Sequence, residues 1–197
     1  MTRIAWHEAG HCLVAHGLGN QLDGAHIRPG IHLGGLASHT TTLRPDDVDI
    51  DGVGLPAPLL PERLRRWVET RVCTALAGAE AEKVSLHLPP LNNEPVGRFV
   101  RTPVPTQLRD RWVEHDASRP PTDDETAFEL VALLWDDPSL QTAHLEMCRA
   151  VARNLLERNV PTLTRVARAL LEHRELSGDD LAALIEGTHD GNQDEAA

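Results

Sequence analysis

His7 and His11 stand four residues apart, with Glu8 directly after the first, in the run Ile4-Ala5-Trp6-His7-Glu8-Ala9-Gly10-His11-Cys12-Leu13-Val14-Ala15. On a helix this spacing puts both imidazoles on one face, one turn apart. They can then converge on a single Zn(II), whose bonds to histidine nitrogen are about 2.0–2.1 Å. Glu8 comes within reach of a water on that ion. Zinc lowers the pKa of such a water towards about 7, and a carboxylate can take its proton as the oxygen attacks a carbonyl carbon. His7 and His11 are therefore candidate metal ligands and Glu8 the candidate general base. The bland alternative is an exposed helix that happens to carry two histidines. The apolar flanks Ile4, Ala5, Leu13, Val14 and Ala15 argue against it, because they describe a helix packed into a core.

A catalytic zinc needs a third protein ligand and one open position. One extension of the motif places glycine three and histidine six positions beyond the second histidine. Val14 and Gly17 occupy those places, which excludes that arrangement. His16 lies roughly 140° around the helix from His11 and reads as a surface or packing residue. Cys12 points away from the site and reads as a small core residue.

The elements that must position these groups are mostly helical. A helix is predicted over residues 3–19, ended by Gly17 and Gly19. Residues 25–30 and 35–42 read as two short strands around a Gly/Pro turn. Residues 43–60 read as a loop; its aspartates lack the glycine and distal glutamate of a calcium-binding loop. A strong helix should run from Pro61 to about Val84, with Leu64, Trp67, Val68, Val72, Ala75, Leu76 and Ala79 facing the core. Residues 85–106 are proline-rich and irregular, and 107–116 form a short helix. Thr122-Asp123-Asp124-Glu125 is a capping box that should start a helix reaching about Trp135. Further helices are expected from Pro138 to about Asn159, from Pro161 to about His173, and after Ser177. Residues 188–197 read as a disordered acidic tail. The sum is one domain, 1–187, mainly α, with a small β-hairpin or sheet after the motif helix.

Composition narrows the class. Of 197 residues, 41% are hydrophobic and 25% charged, enough apolar material for a core. The net charge of −11, with Lys83 the one lysine, and a pI near 5.4 argue against nucleic acid and anionic membranes as partners. Cys12, Cys73 and Cys148 are odd in number and form no CxxC pair, so neither a disulfide framework nor a cysteine-rich zinc site is expected. No run approaches the roughly 18–20 apolar residues of a membrane span. A soluble, cytoplasmic chain is predicted.

The motif helix resembles the signature helix of the FtsH-type zinc peptidases. Three later segments agree in order: Ala25–Gly30 followed by Leu33–Ala37, then Leu76-Ala77-Gly78-Ala79-Glu80-Ala81-Glu82, then Ala169–Leu181. Together they span nearly the whole chain, the first being the most specific. The resemblance implies a helical zincin-like peptidase domain. In that family an aspartate at a helix start, followed four residues later by alanine, is the third zinc ligand. Asp123 with Ala127 fits, and the adjacent Asp124 is the alternative. Both could instead serve only the helix dipole. Glu82 matches a helix glutamate that would orient a ligand from outside; otherwise it is an ordinary exposed side chain. The stretch from Leu86 to Pro121 is longer than its family counterpart.

The activity implied is Zn(II)-dependent hydrolysis of peptide bonds. With the motif at residue 7 and no Gly-rich phosphate loop, the resemblance is to a stand-alone peptidase domain without the ATPase module. Its substrates would be short peptides or unfolded protein segments, held by strand addition along Gly34–Ser38. A homo-oligomer and a separate ATPase are the protein partners the family suggests. Two rival readings stand beside this one. The first is a dedicated regulatory protease with the same site. The second is a non-catalytic helical interaction module keeping a zinc site, which would show a closed fourth coordination position or Glu8 displaced from the metal.

Overall fold

The computed structural model describes residues 1–28, 34–40, 62–91 and 122–187. These residues form a mainly helical fold around a small three-stranded antiparallel sheet. Helix α1 (Thr2–Gly17) lies at its centre. Ala5, Trp6, Ala9, Cys12, Leu13, Val14 and Ala15 are all buried, an apolar surface too wide for a single neighbour to cover. Helix α2 (Glu62–Ser85), helix α5 (Val160–His173) and the sheet cover it together. Gly19, at φ 84°, then turns the chain out of the helix in a conformation that suits glycine.

Strand β1 (Gln21–Arg28) is the middle of the sheet, with β2 (Gly34–Thr40) on one side and β3 (Glu175–Ser177) on the other. Ala25 faces Ala37 on β2 and Leu176 on β3. The expected hairpin is thus completed by a third strand from the far end of the chain. Three residues carry too little alternation to announce a strand. It forms because Arg174 takes a left-handed φ of 68° after α5, and its carbonyl accepts from the Ile27 amide at 2.8 Å. Ser177 then caps helix α6 (Gly178–Glu186) in a capping box with Asp180, satisfying two amides that would otherwise be orphaned.

Helix α2 buries Leu64, Val68, Val72 and Leu76, as its period predicts. Trp67 and Ala75 lie only at the edge of the core. Ala75 and Ala79 instead line a surface groove, so the apolar face of α2 serves both core and cleft. Helix α3 (Asp123–Ala132) begins in the predicted capping box and stops at Leu133, short of the expected Trp135. Helix α4 (Pro138–Arg158) packs on α2, where buried Glu80 meets Lys83 and Arg153. The acidic loop at 43–60, most of the proline-rich stretch, the helix expected at 107–116 and the tail at 188–197 lie outside the described residues. Among the described residues no helix is long and apolar enough to cross a membrane.

Helix α1 comes close against α2 at Gly10. A Cβ there would lie 2.5 Å from the Ala81 Cβ and 2.7 Å from the Ala77 carbonyl oxygen. Alanine would add about 1 kcal/mol of helix propensity, but the overlap includes backbone and cannot be relieved by a rotamer change. Gly10→Ala is expected to destabilise the fold by on the order of 1–3 kcal/mol, measured as a lower urea midpoint with unchanged slope.

Candidate metal centre

Helix α1 presents His7 and His11 to one side, with ring centroids 4.7 Å apart. Asp123, the first residue of α3, reaches both. Its Oδ2 lies 2.9 Å from His7 Nε2 and 3.3 Å from His11 Nε2. These three side chains can offer ligand atoms that all lie within 4.8 Å of one another. Thr122 fixes the start of α3: its hydroxyl accepts from the Glu125 amide at 3.2 Å, and its own amide donates to Glu125 Oε2 at 2.8 Å. Asp124 turns away. It is exposed and accepts from Arg149 at 3.1 Å, so of the two adjacent aspartates it is Asp123 that joins the histidines.

The outer nitrogens of both rings are already committed. His11 Nδ1 is 2.7 Å from the Thr74 carbonyl and His7 Nδ1 is 2.8 Å from Glu82 Oε1. Both partners can only accept, so both Nδ1 atoms carry hydrogen and donate. In the neutral rings that leaves each Nε2 with a bare lone pair aimed at the Asp123 carboxylate. A carboxylate oxygen within about 3.3 Å of two bare lone pairs requires a cation between them. Tetrahedral zinc with bonds near 2.0 Å would hold its donors about 3.3 Å apart. The donor set therefore fits zinc, though the same residues would take other divalent metals.

Without a metal the cation must be protons, and the site holds them firmly. Burial works against a charge on His7, yet the hydrogen bond to Asp123 and the fields of Glu8 and Asp123 push its pKa up to about 9. Burial opposes charge on His11 too, and Asp123 and Glu8 again raise its pKa. For Asp123 burial favours the neutral acid, but the hydrogen bonds from His11 and His7 hold its carboxyl far below the usual range.

Glu8 is buried at 4% exposure and lines the same cavity, of about 180 Å³, as His7, His11 and Asp123. Burial raises its pKa; the two histidines and a hydrogen bond from the Ala37 amide pull the other way. Strand β2 comes close here because Gly35 has no side chain. A Cβ there would lie 2.5 Å from Glu8 Oε1 and 2.6 Å from its Cγ.

Sequence reasoning missed four contributors. Gly78 faces the imidazoles, and a Cβ there would overlap the Nε2 atoms of His7 and His11. A glycine inside a long helix costs about 1 kcal/mol and so asks for a reason, which was the available signal. The Thr74 carbonyl is a backbone atom and leaves no signature. His39 and Arg71 also line the cavity, and neither belongs to a motif. Glu82 lies behind His7 and pairs with Arg3. No protein-family model and no curated protein gives a significant match to this chain.

Two outcomes are expected of metal titrations. Asp123→Asn should weaken zinc binding by more than the roughly 10–100-fold that an outer partner is worth, while Asp124→Asn leaves it within about twofold, both read by competition with a chelating dye. Since metal-free His7 keeps its proton up to about pH 9, zinc uptake at pH 7 must expel protons. Calorimetry in buffers of different ionisation enthalpy should show that release, with apparent affinity rising as pH rises.

Proposed function

We propose that this chain is a zinc-dependent metallopeptidase with a zincin-like helical fold, hydrolysing peptide bonds in short peptides or flexible protein segments. The observation that carries this reading is the convergence of His7, His11 and Asp123 in a cavity whose wall includes the buried carboxyl of Glu8. His7, His11 and Asp123 would hold Zn(II), leaving one side open. When bound, the ion would act as a Lewis acid on the scissile carbonyl and make water acidic enough to attack near neutral pH.

Glu8 takes the proton of the attacking water and passes it to the departing amine nitrogen. Its burial suits that task, because desolvation makes the carboxylate a stronger base. The Ala37 amide holds the carboxyl in place. Among the described residues β2 pairs with β1 alone, leaving its outer edge for an extended substrate segment to join. A vestigial site would have predicted Glu8 displaced from the histidines; its place in the same cavity favours catalysis.

Glu8→Gln keeps the shape of the side chain and removes the base. It is expected to retain one zinc per chain while hydrolysis of an unfolded protein substrate falls by about 10²-fold or more. Zinc retained with undiminished hydrolysis would remove Glu8 from the mechanism, and zinc retained with no hydrolysis even in the wild type would sink the peptidase reading.

A further inference from the structure

The site cavity opens beside a wider groove of about 820 Å³, and Arg71 of helix α2 lines both. The groove walls are partly apolar, with Leu36, Ala75, Leu76 and Ala79. Its other charges are engaged: Arg3 with Glu82, Asp124 with Arg149, and Asp123 with both histidines. Arg71 differs. Among the described residues its guanidinium meets no carboxylate; its carbon lies 5.9 Å from the Trp67 ring centroid. In a chain with 30 acidic against 19 basic residues, a half-buried arginine left unpaired is an unusual arrangement. Arg65, Arg66, Arg149 and Arg153 all face carboxylates.

What flanks Arg71 does not neutralise it either. Among the described residues the buried Nδ1 of His39, on the same cavity wall, has no partner. Burial, with Arg71 and His11 nearby, lowers its pKa to about 4, so at neutral pH it brings no charge of its own. A planar guanidinium held beside an aromatic ring at the mouth of a site is suited to bind a carboxylate through paired hydrogen bonds.

Building on the peptidase reading, we infer that Arg71 is a specificity residue that binds a carboxylate of the substrate next to the scissile bond. That carboxylate is either the C-terminal one of a peptide or the side chain of an aspartate or glutamate. Cleavage would then fall near acidic positions or near chain ends, and neutral segments would be poorer ligands.

The test reads binding rather than turnover. Three labelled peptides of one neutral sequence are titrated by fluorescence anisotropy into zinc-loaded Glu8→Gln protein: C-terminally amidated, with a free C-terminal carboxylate, and amidated with one glutamate introduced. One carboxylate peptide should bind about tenfold tighter than the neutral amide, the scale of one charge-assisted contact. Which of the two it is identifies the source. Arg71→Met should bring that ratio near one, Arg71→Lys should keep part of it, and Arg66→Met, an exposed arginine on the same helix, should leave it intact. Equal affinities, no measurable binding, or a ratio that survives Arg71→Met overturns the inference. Carboxylate-selective binding lost in Arg71→Met, by a protein whose wild type never hydrolyses peptides, would sink the peptidase reading and with it the specificity role, leaving only the carboxylate contact of Arg71.

Discussion

The close packing of α1 against α2 is the constraint on which the site depends. Two glycines make it feasible: Gly10 lets the backbones approach, and Gly78 leaves the space the imidazoles occupy. Each costs its helix about 1 kcal/mol of intrinsic stability. The cost is offset by a long apolar interface, since α1 is buried on most of its circumference and Val68, Val72, Leu76, Ala77 and Ala81 are fully or nearly buried on α2. With the helices this near, the Thr74 carbonyl and Glu82 reach the outer nitrogens of His11 and His7. Packing thereby sets the tautomers, and the tautomers set which lone pairs face inward.

The consequence is a site short of positive charge. Glu8 and Asp123 face two imidazoles whose hydrogens are already spent on outer partners, and burial works against a bare charge on either carboxylate. A divalent cation resolves this more completely than protons do, because it draws on all three converging atoms at once. The buried Glu8 is the element a purely structural metal site would not need. A structural site usually closes all four positions with protein ligands, whereas among the described residues three donors converge, and β2 lines the cavity they share.

Strand β2 and Arg71 frame that open side differently. Among the described residues the outer edge of the strand pairs with nothing, and its backbone groups would suit an extended segment. Arg71 and the apolar residues Leu36 and Leu76 line the cleft beside it. General backbone binding combined with one charged side-chain contact is a common division between affinity and selectivity.

Much of this was legible in the residues. The histidine spacing, Glu8 between them, the capping box at Thr122, the long α2 period and the mainly α character all rest on local rules of helix geometry, which a sequence carries directly. The choice of Asp123 over Asp124 leaned on a resemblance and a single alanine, and the direction each carboxylate takes is set by the start of α3 against α1. Strand β3 was invisible because three residues become a strand only when β1 is there to pair with them. Gly78, the Thr74 carbonyl and Arg71 likewise act through neighbours far away in the chain. Sequence alone determined which groups could do chemistry and on which helices they ride. Tertiary structure decided which nitrogens face inward, which aspartate meets them and that Arg71 meets no carboxylate among the described residues, because those depend on distances between elements that no local pattern encodes.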